Sequence, residues 1–185
     1  MTDFYDAAIW SHLPSPGTDL MLYQDGEFAV PPDAIRELRP ARWHGITVTG
    51  DPAWGAIDWE PRNPCFTGAG LRGYVRGRLG RRRAGEVSTR ARVYVEMHQA
   101  REALGQLGYR DGLEWFRQPP LVSYPLWWIP TLDGKLRTPE ELAAELAGIW
   151  DAPIPVSALW GQQYTQLPEI GPVATVDVSR LFGEW

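Results

Sequence analysis

The segment Ala56-Ile57-Asp58-Trp59-Glu60-Pro61 sets two carboxylates two residues apart at the end of an apolar run closed by proline. Side chains alternate along a strand, so Asp58 and Glu60 share one face. Two carboxylates in unequal surroundings suit glycoside cleavage. One keeps its proton to donate to the leaving oxygen, and the other stays ionised and stabilises positive charge at the anomeric carbon. In a barrel of parallel strands the reacting groups sit at the carboxyl ends of the strands, where this pair falls. Surface acids closing a strand would read the same way, so the spacing nominates the pair without assigning it a role.

Other chemistries find less support. Gly68, Gly70 and Gly73 satisfy G-x-G-x-x-G, but Pro61, Arg62, Asn63 and Pro64 intervene after the preceding strand, so the tight strand-to-helix turn that cradles a pyrophosphate is missing. His12, His44 and His98 are scattered without metal-ligand spacing, and no metal or other cofactor is expected. Cys65 has no partner histidine in sequence, and no G-x-S-x-G elbow offers a serine nucleophile. Arginines at 72, 76, 78, 81, 82, 83, 90 and 92 make a local basic patch, read either as a solvated helix face and loop or as a contact for phosphate-bearing polymers.

The elements that must position the acid pair are short. The chain has 17 prolines and 19 glycines in 185 residues, well above the norm of roughly 12% for the two together, so many turns separate brief elements. Eight β-rich runs are legible: Phe4–Trp10, Leu20–Gln24, Gly45–Thr49, Gly55–Trp59, Ala91–Glu96, Leu126–Ile129, Val156–Tyr164 and Val173–Val178. Several are continuously apolar, as strands covered on both faces should be. A helix is expected after Thr138, where Thr138 and Glu141 form a capping box around Pro139. A second is expected over Met97–Leu107, a weaker one over Leu71–Arg83, and at most a short one over Asp33–Leu38. Runs alternating with helices predict an α/β protein, an irregular, compact TIM-type (β/α)8 barrel with abbreviated helices in the first half. An open doubly wound sheet is the second choice.

One domain spanning 1–185 is expected, since 185 residues with 44% hydrophobic content can bury a core unaided. No stretch approaches the ~18 apolar residues that a membrane span needs, and the start has no signal-peptide pattern. Synthesis in the cytoplasm is therefore expected, without membrane association. The single Cys65 leaves no internal disulfide, and a net charge of −5 gives no electrostatic reason to expect nucleic acid as the main partner. Ten tryptophans either fill the core or offer exposed faces on which sugars, bases or partner surfaces stack.

With these features in hand, the Asp58-Trp59-Glu60 strand end resembles the D-x-E motif of family 25 glycoside hydrolases, the muramidase-type lysozymes. Arg92-Val93-Tyr94-Val95, Leu126-Trp127-Trp128-Ile129 and Trp160-Gly161-Gln162-Gln163-Tyr164-Thr165 resemble its later strands in the same order, and Val176-Asp177-Val178 its last strand. Phe4-Tyr5-Asp6-Ala7 and Leu22-Tyr23-Gln24-Asp25-Gly26 are similar to the related glycoside-hydrolase-like domains of actinobacteria and their phages. The resemblance implies that Glu60 is the general acid and Asp58 its partner, orienting the substrate acetamido group or stabilising developing charge. It implies that Asp6 and Asp177 complete an acidic floor, and that Tyr23, Asp25, Tyr94, Trp128, Gln163 and Tyr164 line the substrate cleft.

The implied substrate is the β-1,4 linkage between N-acetylmuramic acid and N-acetylglucosamine in peptidoglycan, cut by a phage lysin or a virion-associated muramidase that reaches the wall in the virion or at lysis. There are departures from the family pattern. Gly45-Ile46-Thr47-Val48 lacks the Tyr-His-Phe kind of segment, and Pro130 follows Trp128-Ile129 where a small residue is usual. The alternative is therefore a catalytically degenerate barrel, a tail or baseplate component that binds cell-wall glycan or packs against other virion proteins.

Overall fold

The computed structural model describes residues 3–7, 10–14, 16–99, 102, 125–150, 155–168 and 175–182. Eight strands close into a barrel in chain order: β1 (Asp3–Asp6), β2 (Asp19–Tyr23), β3 (Arg42–Thr47), β4 (Ala56–Asp58), β5 (Arg92–Tyr94), β6 (Leu126–Pro130), β7 (Leu159–Pro168) and β8 (Thr175–Leu181). Strands β1 to β7 are parallel, each paired with the next, whereas β8 runs antiparallel to both β7 and β1. The reversed last strand corrects the expectation of parallel strands throughout. Its cause is length: only residues 169–174 separate β7 from β8. A parallel β8 would need the chain to return along the ten residues of β7 through those six alone, which is beyond their reach, whereas residues 48–55 suffice for the parallel pair β3 and β4 because β4 starts beside Ile46, near the end of β3.

Among the described residues, three helices with both ends in view cover the outside of this barrel: α1 (Pro32–Leu38) after β2, α2 (Gly68–Arg83) after β4 and α3 (Pro139–Trp150) after β6. Among the described residues only a 3-10 turn at Trp10–His12 lies between β1 and β2, and turns alone join β3 to β4. The barrel is thus mixed and unevenly covered, without a full helix between every pair of strands. The capping box forms as expected, with Thr138 N–H donating to Glu141 and Glu141 N–H to Thr138 Oγ1. Most of the helix expected over Met97–Leu107 lies outside the described residues, as does nearly all of the proline-rich stretch at 118–125. The first run ends earlier than expected, at Asp6, with Trp10 in a 3-10 turn, and the seventh is shifted, starting at Leu159 after a 3-10 turn at Val156–Ala158 and running on to Pro168.

Period two sorts the strand residues between two cores. Phe4, Met21, Ile46, Ala56, Trp128, Trp160 and Leu181 fill the barrel interior, with ring centroids of Phe4, Trp128 and Trp160 between 5.2 and 5.8 Å apart. Ile57, Trp59, Val93, Trp127 and Ile129 point outward against Leu71 and Tyr74 of α2 and Leu142 and Leu146 of α3. Trp59, Trp127, Trp128 and Trp160 are all at most 1% exposed, so these four are core residues.

The glycines of α2, which weaken its helical pattern, separate by what surrounds them. Thr67 caps the helix by accepting from Gly70 N–H, and a Cβ on Gly70 would stand 2.4 Å from the Cys65 carbonyl oxygen. On Gly73 and Gly80 a Cβ would meet nothing within 4 Å. Alanine should therefore have opposite signs in one helix. Gly70→Ala is expected to cost about 1–3 kcal/mol through overpacking against backbone, whereas Gly73→Ala and Gly80→Ala should each stabilise by about 0.5–1 kcal/mol. Urea denaturation midpoints of the three variants measure this, and a common sign would refute the packing argument.

Candidate active site

The apolar strand β4 delivers Asp58, and the chain just beyond it delivers Glu60. Between them Trp59 is fully buried on the outer side, tilted against Phe66 with ring centroids 4.3 Å apart, and its backbone N–H donates to the Tyr94 carbonyl of β5. Anchoring Trp59 outward turns Asp58 and Glu60 toward the barrel mouth. The strand end is pinned further, since Asn63 Nδ2 and Cys65 Sγ both donate to the Asp58 carbonyl oxygen, at 2.9 and 3.2 Å. Cys65 is buried, and burial pushes its thiol up to about 12, so it stays protonated and acts as a packed hydrogen-bond donor.

Asp6 from β1 and Asp177 from β8 reach the same cavity of about 260 Å³ as Asp58 and Glu60. Tyr23, Tyr94, Trp128 and Gln163 also line it. The Tyr23 hydroxyl donates to Asp58 Oδ2 at 3.1 Å, and the Tyr94 hydroxyl to Gln163 Oε1 at 2.5 Å. Tyr94 stands edge-on to Trp128, whose Nε1–H donates to Ser179 Oγ at 3.0 Å, so these side chains are held in place before any ligand arrives. Oδ1 of Asp6 and Oδ1 of Asp58 are buried without a hydrogen-bond partner among the described residues. Such acceptors are costly unless protonated or met by a ligand donor.

Four carboxyls so close, and so dry, cannot all be ionised at neutral pH. Burial pushes Glu60 up to about 7, reinforced by the charges of Asp58 and Asp177 and opposed by Arg62. Asp58 is raised less, to about 6, because hydrogen bonds from Asn63 and Tyr23 offset part of its burial. Asp6 and Asp177 are also raised, chiefly by burial, and for Asp6 the neighbouring carboxylates add to it. Near pH 6.5 the arrangement thus favours a protonated Glu60 beside an ionised Asp58, one proton donor and one anion.

Two expected cleft residues lie outside this cavity. Asp25 ties β2 to the end of β3, accepting from Val48 N–H and from the hydroxyls of Thr47 and Thr49. Tyr164 is placed with Asp3, Tyr5 and Arg180 instead. Conversely Gln166, Leu132 and Ile46 line the cavity without having been expected there, and Gln166 Nε2 donates to Asp177 Oδ1 at 2.7 Å. Alternation turns Tyr164 away once Gln163 faces in, and one irregularity accounts for Gln166. The β7–β8 register passes from Gln163↔Ser179 to Thr165↔Val178, leaving Tyr164 as an extra residue, so the inward face moves from Gln163 to Gln166. Leu132 reaches the cavity from the loop after β6, which holds it at φ 51 and leaves it 47% exposed.

No protein-family model, no curated protein and no solved structure matches this chain. No helix among the described residues is long and apolar enough to cross a membrane.

Proposed function

We propose that the barrel is a TIM-type variant acting as a glycoside hydrolase on bacterial peptidoglycan, cleaving the β-1,4 bond between N-acetylmuramic acid and N-acetylglucosamine. The observation that carries the proposal is the pairing of Glu60, raised to about 7, with Asp58, raised to about 6, in a cavity at the carboxyl ends of parallel strands. Glu60 donates its proton to the leaving glycosidic oxygen. Asp58, ionised and steadied by Tyr23, orients the acetamido group or stabilises charge at the anomeric carbon. The cavity is smaller than the roughly 300–1,000 Å³ of enclosed small-molecule pockets, which suits a cleft that grips one sugar of a longer polymer. The nearby aromatic rings and amides supply a ring face and hydroxyl partners.

Incubating the protein with purified actinobacterial peptidoglycan tests this directly. Soluble muropeptides with new N-acetylmuramic acid reducing ends, identified by mass spectrometry, are the expected product. The pH profile carries its own sign. Activity rises as Asp58 loses its proton near 6 and falls as Glu60 loses its proton near 7, so kcat/KM should be bell-shaped with a narrow top between those values. A rate still climbing through pH 8 would contradict the assignment of Glu60 as the acid.

A second reading rests on Ile46. From β3 the cavity receives this apolar side chain, which offers no hydrogen bond to a sugar hydroxyl. On that reading the barrel binds wall glycan, or packs in a virion, without cutting. Saturable binding to peptidoglycan with no release of muropeptides at any pH would favour it.

A further inference from the structure

A second cavity, of about 490 Å³, lies at the opposite end of the barrel. Arg92, Leu126 and Leu159, the first residues of β5, β6 and β7, surround it together with Phe182, which follows β8. Its two sides differ in chemistry. Leu126, Leu159, Trp160 and Phe182 form an apolar wall, whereas Arg82, Arg90 and Arg92 bring three guanidinium groups, accompanied by hydroxyl side chains at 88, 89 and 157. Among the described residues that line it there is no carboxylate.

Arg92 decides what this end of the barrel lacks. It is 2% exposed, its guanidinium carbon sits 4.2 Å from the Trp160 ring centroid, and its Nε and Nη1 have no hydrogen-bond acceptor among the described residues. Burial lowers its pKa only to about 10, so it is cationic at neutral pH. Unsatisfied donors on a buried cation are among the costlier defects a fold can carry, and they are rare without a functional reason. A guanidinium is a planar fork of donors that fits a tetrahedral oxyanion, and its stacking on Trp160 holds that plane still. Thr89 Oγ1 already accepts from Arg78 Nη2, which leaves its hydroxyl proton to donate. Arg82 Nε donates to the Ser88 carbonyl oxygen, bracing the loop that presents Ser88, Thr89 and Arg90.

We propose that this cavity binds a small phosphorylated molecule, with the phosphate held by Arg92 and Arg90 and the body of the molecule against the wall of Trp160, Leu159 and Phe182. The site is separate from the carboxylate cavity, and the proposal does not depend on the chemistry assigned there.

Isothermal titration calorimetry with inorganic phosphate and with phenyl phosphate tests it, at constant ionic strength in chloride. Saturable binding of both is expected, tighter for phenyl phosphate, whose ring can cover the apolar wall. Arg90→Gln, at the half-buried rim where loss of fold is not expected, should weaken phenyl phosphate by about tenfold or more, the usual effect of losing a charge-assisted hydrogen bond. Arg92→Gln should weaken it at least as much, with circular dichroism checking its fold. Glu60→Gln should bind as the wild type does. No saturable heat from the wild type at millimolar probe, or equal affinity in wild type and Arg90→Gln, would overturn the proposal. Thermal unfolding gives an independent reading. Phosphate should raise the Tm of the wild type more than that of Arg90→Gln, whereas equal rises would reduce the effect to general salting-out and count against the site.

Discussion

Glu60→Gln is expected to lower the release of muropeptides by roughly 10²–10⁴-fold, the contribution usual for a positioned general acid. Glutamine keeps the size of the side chain and removes only the transferable proton, so the loss isolates the chemistry. The same substitution should make the protein more stable. The folded-state pKa of Glu60, about 7, lies above its ordinary value of 4.5, so the native state prefers the protonated side chain. The stability this preference lends is full below the ordinary value and is lost as pH rises through about 7. Glutamine cannot ionise, so Glu60→Gln should unfold at a higher temperature than the wild type at pH 8 and at nearly the same temperature at pH 4. An inactive variant with a raised Tm at pH 8 is the signature of a strained catalytic acid. A variant that retains wild-type release rates would remove Glu60 from the mechanism.

Trp128→Ala should cost about 3–5 kcal/mol, a large part of the 5–15 kcal/mol by which a domain is ordinarily stable. Its indole is 1% exposed at the centre of the barrel, with Phe4 at 5.2 Å, Trp160 at 5.8 Å and Tyr94 at 4.7 Å between ring centroids. Removing it opens a cavity in a cylinder that cannot collapse, because eight hydrogen-bonded strands set its diameter. It also strips the support from Tyr94, and so loosens Gln163 in the carboxylate cavity. Trp128→Phe should cost less, since a ring remains, yet it leaves Ser179 Oγ without its donor. Guanidinium denaturation midpoints of the two variants give the comparison. A loss below ~1 kcal/mol for Trp128→Ala would mean that the interior repacks, contrary to the rigid-barrel argument.

Much of this was legible in the chain. The turn residues and β-rich runs located all eight strands, because a strand's existence depends on local propensity and punctuation. Period two put Asp58 and Glu60 on one face, and the capping box at Thr138 started α3 where it was expected. The basic run from Arg72 to Arg92, which reads as a solvated face or a polymer contact, is not all at the surface. Arg78 is 4% exposed and donates through Nη1 to the carbonyls of Pro52 and Ala53, and Arg92 is buried over Trp160. No periodicity separates these two from their exposed neighbours, since a long cationic side chain is buried only when acceptors or a ring await it elsewhere in the fold.

Local sequence, then, determined which segments are strands and which side of β4 carries the acids. Three things were left to tertiary structure. The direction of β8 came from the length that β7 reaches in the barrel, because a strand's own residues read alike in either direction and six residues at 169–174 cannot carry the chain back along ten. The arrival of Gln166, in place of Thr165, at the cavity came from an extra residue in β7 opposite β8, which changes the inward face without a mark in the sequence. The unequal pKa values of Asp58 and Glu60 came from burial, from Asn63 and Tyr23 beside one carboxyl, and from the charges of Asp58 and Asp177 beside the other. Those terms depend on distances and dielectric surroundings that exist only once the distant parts of the chain have met.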